Sequence, residues 1–306
     1  MSVWFVIPSK RGHEQLDACL GAWLDMGYCV ALAREPDDGW PFGFPDSRMR
    51  MYPVHGYQGW ARSVNILVQV VAAECSDAEW FVTGGDDYYP DPTKRADEIA
   101  AECEAYFHER YARPAEVFKE AGLSTAGLAA AWPDTFGVMQ PTGDRWCEGR
   151  CTTCHGSGQV YGRIVYATPV DLPTKCEDCN GTGRSAVIDR ICGSPWMGRE
   201  FCRRMYHGAG PLYNGYYHNF ADQELQEVSR KLSVLWQRRD LIQTHQHWAT
   251  KQPKSETHTG LAGDVRNMPE WAAKINDPKL SDWERSKALF AKRKAAGFPG
   301  HEPLEI

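Results

Sequence analysis

The hydrophobic positions of the first 92 residues alternate between the spacing of a strand and that of a helix. Val3–Pro8 is a short apolar run of the kind that forms a buried strand. Leu16, Leu20 and Trp23 then fall on one face of a helix, which Gly27 ends as a cap residue. The pattern therefore predicts one strand and one helix at the start of the chain.

The same alternation continues as far as residue 87. Tyr28–Ala33 predicts a second strand, followed by a polar loop that reaches about residue 60. The apolar face of the next predicted helix consists of Val64, Leu67, Val68 and Val71. Trp80–Val82 predicts a third strand, which runs into Gly84-Gly85-Asp86-Asp87. This order predicts an α/β fold with a mostly parallel sheet and helices on its faces.

Composition divides the 306 residues into four regions. The α/β pattern fills residues 1–146 and resumes over residues 186–250. Between them, residues 147–185 are rich in Gly, Cys and Thr and lack helical periodicity, which predicts a small insertion. Residues 251–306 form a polar extension that carries one exposed helix.

The insertion contains a duplicated cysteine motif. Cys151 and Cys154 belong to one C-x-x-C-x-G-x-G unit, and Cys176 and Cys179 belong to a second. Four thiolates at tetrahedral geometry suit Zn²⁺ and close its coordination sphere, so we expect a structural zinc site. An iron–sulfur or redox site is the alternative.

This motif resembles the cysteine-rich repeats of the DnaJ chaperone family, over residues 151–183 only. No J-domain signature precedes it, so the resemblance implies a zinc-held pair of hairpins and not a co-chaperone. Such a knuckle serves either as a staple for a polar loop or as an arm that binds substrate.

Charge and hydropathy argue against two classes of protein. The 34 Lys and Arg against 40 Asp and Glu give a formal charge of −6, which argues against holding nucleic acid by bulk electrostatics but permits a local basic surface. No apolar run approaches the roughly 20 residues of a membrane span. Val3–Ile7 is also too short for the apolar core of a signal peptide. We therefore expect a cytoplasmic protein with no membrane partner.

An acidic pair follows the third predicted strand directly. Asp86 and Asp87 emerge at the carboxyl edge where open α/β sheets bind ligands, and Gly84 and Gly85 release them from the pleat. Paired carboxylates in a crevice attract a hard divalent cation, which can bridge to phosphates. A solvated turn is the alternative for a strand-end Asp pair.

Three segments together resemble the nucleotide-sugar half of GT-A glycosyltransferases. They are Val3–Ser9, Ala61–Asn65 and Trp80–Asp87. The resemblance covers residues 3–92 and 134–250 and implies a Rossmann-like GT-A fold. In that family a D-x-D-type acidic motif binds Mn²⁺ or Mg²⁺, whereas here the motif is Gly85-Asp86-Asp87.

The resemblance also implies roles for individual residues. Asp87 would bind the metal, and Asp86 would contact the ribose or the outer ligand sphere of the metal. Among the acids after the second strand, we favour Asp37 as the contact to the base. The residues implied for the nucleotide-sugar are Pro8, Ser9, Asp37, Arg62, Asn65 and Asp86. Judged by spacing alone, the polar stripe that contains Arg62 and Asn65 fits a solvent-facing surface equally well.

The second half of the chain supplies a candidate base and candidate metal ligands. Asp222 opens a predicted helix where GT-A enzymes carry the acid that takes the proton of the acceptor hydroxyl. An ordinary first-turn acid, stabilised by the helix dipole, is the alternative. His245 and His247 alternate on a predicted strand where the family often places its histidine metal ligand, so either imidazole is a candidate. An aromatic loop over residues 211–218 offers ring faces for sugars or bases.

These features favour a metal-dependent hexosyl- or pentosyltransferase that moves a sugar from a nucleotide-sugar, best a UDP-sugar, to a hydroxyl acceptor. The zinc insertion on a compact transferase resembles phage-type enzymes that glycosylate hydroxymethylated pyrimidines in DNA, which implies DNA as the acceptor and a host cytoplasm as the location. A surface or capsular glycan is the alternative acceptor. A non-catalytic, zinc-stapled nucleic-acid-binding protein is the alternative from a different class.

Overall fold

The computed structural model describes residues 1–39, 46–120, 132–142, 149–150, 159–162, 172–175, 184–185, 191–245 and 282–304. The helices in these ranges are α1 (His13–Asp25), α2 (Trp60–Glu74), α3 (Ala96–Glu120), α4 (Arg199–Arg204), α5 (Ala221–Lys231) and α6 (Asp282–Ala295). The strands are β1 (Ser2–Pro8), β2 (Cys29–Arg34), β3 (Met49–Pro53), β4 (Ala78–Val82), β5 (Tyr88–Tyr89), β6 (Val138–Thr142), β7 (Gly149–Arg150), β8 (Gln159–Gly162), β9 (Leu172–Lys175), β10 (Arg184–Ser185), β11 (Trp196–Gly198), β12 (Leu235–Ile242) and β13 (Thr244–His245). None of the described helices combines the length and the apolar character that crossing a bilayer requires.

The main sheet is mostly parallel. In the described part of the chain its strand order is β12-β6-β11-β4-β1-β2-β3. Strand β1 pairs in parallel with β2 and β4, β2 with β3, and β6 with β12, whereas β11 runs antiparallel between β4 and β6. The predicted α/β class with a mostly parallel sheet is confirmed.

Two strands of this sheet lie where the sequence pattern predicts none. β3 falls inside the polar loop expected before residue 60, because it is an edge strand in which only Met49 is buried. β11 is fully buried but only three residues long, too short to display a period. Both strands owe their place to pairing partners that are distant in sequence.

Helices cover both faces of the sheet. On one face, Trp23 of α1 stacks on Phe5 of β1 with ring centroids 4.0 Å apart, and Phe107 of α3 stacks on Trp80 of β4. On the other face, α2 buries the apolar side that the sequence predicts, against a core that includes Val6, Phe81, Phe201, Leu225 and Phe298. Because both faces are covered, the central strands consist of nearly continuous apolar residues.

A buried ion pair fastens α6 to α5. Glu224 is fully buried, and its carboxylate accepts hydrogen bonds from Nε and Nη2 of Arg293 at 2.8 and 2.6 Å. The hydroxyls of Tyr206 and Tyr216 each donate to the same carboxylate at 2.8 Å. The guanidinium also lies over the ring of Tyr213, 3.4 Å from its centroid. One carboxylate thus joins two helices and the aromatic loop.

Replacing Arg293 by Met leaves the Glu224 carboxylate buried without its counter-charge. We expect Arg293→Met to lower the free energy of unfolding by about 3–5 kcal/mol, measured by urea denaturation. Lys294→Met is the matched control, because Lys294 pairs with Glu227 at 2.7 Å on the exposed side of the same helix. We expect a loss below about 1 kcal/mol there. Equal losses in the two variants would show that the buried pair stabilises the fold no more than the exposed pair does.

Candidate functional site

The loops that carry most of the predicted site residues start at one edge of the sheet. β1, β2 and β4 run in parallel, so the segments 9–12, 35–39 and 83–87 leave the sheet at the carboxyl ends of neighbouring strands. Open α/β sheets bind their ligands at this edge. Pro8 is the last residue of β1, and Asp86 and Asp87 follow β4.

Asp86 and Asp87 share one guanidinium. Ser9 Oγ donates to Asp86 Oδ2 at 2.5 Å. Arg11 Nη2 lies 2.8 Å from Asp86 Oδ1 and 3.6 Å from Asp87 Oδ2. The structure therefore brings Ser9 and the acidic pair together, and it adds Arg11, which the sequence interpretation missed. The available signal was its place in the loop directly after Pro8.

His245 lies beside Asp87. Its Nε2 atom is 3.3 Å from Asp87 Oδ1, and its ring stacks on Tyr88 with centroids 4.0 Å apart. The short strands β5 and β13 create this proximity, because they pair antiparallel and place His245 opposite Tyr88. The two candidate metal ligands Asp87 and His245, which lie far apart in sequence, are therefore neighbours. His247, the other candidate, lies outside the described residues.

Gly85 allows the Asp87 carboxylate to fold back towards the chain. A Cβ atom at residue 85 would overlap Asp87 Oδ1, and a Cβ at Gly84 would stand only 3.0 Å from the ring of Tyr88. The two glycines thus leave room for the acid and for the aromatic ring that supports His245. This geometry agrees with the interpretation that the glycines release the acids from the pleat.

Asp91 anchors the segment that carries His245. Its side chain is buried, and Oδ2 accepts the backbone N–H of Ile242 at 2.6 Å. Oδ1 accepts the N–H and the hydroxyl of Thr93 at 2.8 and 2.5 Å. Asp91 therefore joins the end of β12 to the loop after β5. Sequence reasoning missed this residue because its role depends on a contact across 151 positions.

Arg34 braces the loops that follow β1 and β2. It is 2% exposed, and its guanidinium donates to the carbonyl oxygens of Arg11 at 3.0 Å, Asp38 at 2.7 Å and Gly39 at 2.9 Å. The fixed fork of a guanidinium can bridge several carbonyls at once. The backbone of Arg11 is consequently held in place, while its side chain reaches the acidic pair.

Asp37 and Arg62 lie on the surface near this edge. Asp37 is exposed on a single 3-10 turn, Pro36–Asp38, directly after β2. Arg62 is exposed in the first turn of α2, and the preceding Trp60 donates from Nε1 to the carbonyl of Gly84 at 3.1 Å. Both side chains are accessible to a ligand at the edge.

Asn65, which the resemblance implies as a contact to the nucleotide-sugar, is occupied by contacts within the protein. It is buried, and its Nδ2 donates to the Leu212 carbonyl at 2.6 Å and to Asn214 Oδ1 at 2.8 Å. Its Oδ1 accepts the Leu212 N–H at 3.0 Å. A Cβ at Gly210 would also collide with the Asn65 side chain. The amide therefore secures the aromatic loop to α2.

The aromatic loop reaches the acidic edge through the start of α2. The Trp60 N–H donates to the Tyr217 carbonyl at 2.6 Å, and Gly59, at φ +92°, leaves no room for a Cβ against that carbonyl. The rings of Tyr57 and Tyr217 meet edge to face with centroids 5.4 Å apart. Tyr217 is 40% exposed. This loop therefore presents an aromatic face at the same end of the molecule.

Asp222 lies in the first turn of α5, as predicted, and is half-buried. Burial raises the pKa of its carboxyl to about 6, although the Gln223 N–H donates to Oδ1 at 2.9 Å. Its carbonyl accepts the N–H of Cys192 at 3.3 Å, and a Cβ at the next residue, Gly193, would stand 2.8 Å from the Tyr88 hydroxyl. The segment 192–193 thus connects Asp222 to the ring that supports His245.

Four short strands flank the two cysteine motifs. β7 ends directly before Cys151 and pairs with β10, which begins directly after the second motif, so Arg150 lies opposite Arg184. β8 follows the first motif and pairs with β9, which ends directly before Cys176. The strand before each motif is therefore paired with the strand after the other motif. The four predicted zinc ligands, Cys151, Cys154, Cys176 and Cys179, lie outside the described residues.

The carboxylates of Asp86 and Asp87 suit a hard divalent ion that is shared with a substrate. Within the described ranges, no group of three or more His, Cys, Asp or Glu side chains is arranged to enclose an ion. Mg²⁺-type ions commonly take one or two carboxylates and complete their ligand sphere with phosphate oxygens and water. The chemistry of this partial donor set fits such an ion.

No family model and no curated protein sequence matches the chain. Among solved structures, a crystal structure of mannose-1-phosphate geranyltransferase from Thermus thermophilus is similar at 12% sequence identity. The match covers 80% of this chain and 74% of that chain, with a TM-score of 0.34. Similarity at this level carries no argument, so the functional interpretation rests on the site itself.

Asp222→Asn is expected to stabilise the protein above pH 6. The folded-state pKa of about 6 exceeds the ordinary value of 3.8, so the folded protein favours the neutral carboxyl group of Asp222. The stability that this neutral form contributes is lost as pH rises through 6. We expect the variant to have a higher Tm than wild type at pH 8, with a difference that narrows as pH falls towards 4.

Asp97→Asn is the matched control for this measurement. Asp97 is also a first-turn helix acid, but its side chain is 75% exposed. We expect its replacement to leave the Tm unchanged or slightly lower, because the helix dipole favours an acid there. A lower Tm for Asp222→Asn at pH 8 would identify Asp222 as an ordinary dipole-stabilised acid.

Proposed function

We propose that this protein is a metal-dependent glycosyltransferase that moves a hexosyl or pentosyl group from a nucleotide-sugar, best a UDP-sugar, to a hydroxyl acceptor. One observation carries the proposal: Asp86, Asp87, Ser9 and His245 meet at the carboxyl edge of a mostly parallel sheet. Adjacent carboxylates beside an imidazole are poorly explained by packing. They offer the ligands that a cation needs when it also holds a diphosphate.

Each residue at this edge has a task in the proposed reaction. Asp87 and His245 would hold Mn²⁺ or Mg²⁺, with His247 as a further candidate ligand. When bound, the ion neutralises the charge that develops on the departing diphosphate. Ser9 and Asp86, already joined by a hydrogen bond, would face the ribose. The exposed side chains of Asp37 and Arg62 remain available to the base and the phosphates.

Asp222 would act as the general base. A base works best when its pKa lies near the working pH, and burial raises the pKa of Asp222 to about 6. Above that pH the carboxylate is ionised and weakly solvated, which favours taking a proton from the acceptor hydroxyl as its oxygen attacks the anomeric carbon. This assignment belongs to an inverting transfer.

The acceptor that we propose is 5-hydroxymethylpyrimidine in DNA. The sequence resemblance to phage-type enzymes that modify such bases motivates this choice. The exposed ring of Tyr217, next to Tyr57 at the acidic edge, supports it, because aromatic faces stack on extruded bases. DNA binding would then depend on local contacts, since the net charge is −6.

Asp87→Asn tests the enzymatic proposal. We expect release of UDP from the UDP-sugar and acceptor to fall by at least about 100-fold, because the charge that holds the metal is lost. Asp77→Asn, an exposed acid in the turn before β4, is the control and should retain full activity. An unchanged Tm would show that the fold of Asp87→Asn is intact. Full activity of this variant with added Mn²⁺ would contradict the assignment.

The same assay distinguishes the acceptors. A panel of sugar donors is tested with hydroxymethylated DNA, plain DNA and a glycan, and we expect transfer to the hydroxymethylated DNA only. Transfer to the glycan alone would show that the acceptor is a glycan and not DNA, while the proposed enzyme class would still hold. Binding of DNA with no UDP release from any donor would favour the non-catalytic, zinc-stapled alternative.

We further propose that Cys151, Cys154, Cys176 and Cys179 hold one structural Zn²⁺. The pairing of β7 with β10 and of β8 with β9 supports this proposal, because it joins the two motif segments at both of their ends. A tetrahedral Cys₄ site requires two C-x-x-C units that face each other. The bound ion would offset the small core of a segment with little apolar sequence.

Metal analysis of the purified protein tests the zinc site. We expect about one zinc per chain in wild type and a marked loss of zinc in Cys154→Ser, because three thiolates bind more weakly than four. Cys29→Ser is the control, since Cys29 is a half-buried free cysteine in β2. Zinc content that does not respond to Cys154→Ser, or iron in place of zinc, would overturn this assignment.

A further inference from the structure

Arg11 is the cation that balances the acidic pair. Its Nη2 atom contacts one oxygen of each carboxylate, at 2.8 Å for Asp86 and 3.6 Å for Asp87. The neighbouring Lys10 directs its charge elsewhere, because its Nζ pairs with Glu35 at 2.5 Å. Of the two adjacent basic residues, Arg11 therefore faces Asp87, which the proposed function assigns to the metal, together with its neighbour Asp86.

Hydrogen bonds fix the backbone of Arg11, and its side chain contacts the acidic pair. Its carbonyl accepts from Arg34 Nη1 at 3.0 Å, and its N–H donates to Ser9 Oγ at 3.1 Å. The side chain beyond is 18% exposed and reaches both acids. A change of rotamer can therefore move the guanidinium without moving the loop.

A divalent ion held by Asp87 would compete with the Arg11 guanidinium, which already lies beside Asp86 and Asp87. An ion with two positive charges would compensate both acids and repel the guanidinium at the distances observed. The planar guanidinium then suits the oxygens of a diphosphate, which it can contact with two parallel hydrogen bonds.

We propose that Arg11 is an exchangeable counterion, which pairs with Asp86 and Asp87 in the free protein and transfers to the diphosphate when metal and donor bind. This inference rests on the proposed function and deepens it. Because the metal must displace Arg11, binding of metal alone is weakened. Because Arg11 then binds the diphosphate, bound metal raises the affinity for the nucleotide. Bound nucleotide raises the affinity for the metal by the same factor.

Calorimetric titration of wild type and Arg11→Gln tests the exchange with Mn²⁺ alone, with UDP alone and with UDP at saturating Mn²⁺. We expect Arg11→Gln to bind Mn²⁺ alone about tenfold more tightly and UDP with Mn²⁺ about tenfold more weakly than wild type. These opposite directions distinguish a counterion that exchanges from a residue that merely supports the fold. The Tm of both proteins is measured alongside.

Arg50→Gln is the control that is matched in charge. Arg50 pairs with Glu74 at 2.7 Å on the exposed surface, so its removal changes the net charge equally. We expect its titrations to match wild type. The exchange would be overturned if both variants bound Mn²⁺ more tightly to the same extent, or if Arg11→Gln bound Mn²⁺ no more tightly than wild type. Either result would leave the proposed metal site intact. Wild type that binds no Mn²⁺ with or without UDP would overturn the proposed metal site together with this inference.

Discussion

Two adjacent carboxylates at the end of β4 impose the constraint on which the candidate site depends. Asp86 and Asp87 are largely withdrawn from water, and their like charges repel each other. The surrounding structure supplies positive charge and hydrogen-bond donors to compensate them. Arg11, the Ser9 hydroxyl and His245 all face this pair. The loops after β1 and β4 and strand β13 are therefore organised around a single electrostatic requirement.

The groups that meet these acids are themselves held by buried polar contacts. Arg34 fixes the carbonyl of Arg11, and Asp91 fixes the backbone of Ile242 just before β13. Both of these side chains are almost fully buried and satisfied by backbone partners, which makes their geometry rigid. The loop that carries Arg11 and the end of β12 that precedes His245 are thus both held by buried polar contacts, and Arg11 and His245 both lie beside the carboxylates.

The aromatic loop belongs to the same frame through two independent attachments. The amide of Asn65 secures it to α2, and the carboxylate of Glu224 secures it to α5 and α6. These attachments give the two residues structural tasks that their types alone do not reveal. Asn65 in particular has the spacing expected of a ligand contact, yet its hydrogen-bonding groups are directed at Leu212 and Asn214. Asn65 therefore serves the packing of the aromatic loop onto α2, while Arg62 on the same polar stripe stays exposed.

The sequence by itself determined what depends on local periodicity: the α/β class, the end of the first helix just before Gly27, which has φ +88°, and the acidic pair after β4. These follow from backbone geometry within a few residues. Tertiary structure alone decided that α5 ends at Lys231, because Leu235 continues the helical spacing but pairs in β12. It also decided that His245 meets Asp87 and that Arg11 and Arg34 serve the site. Contacts between distant segments leave no period in the sequence, since they arise only when the strands pair.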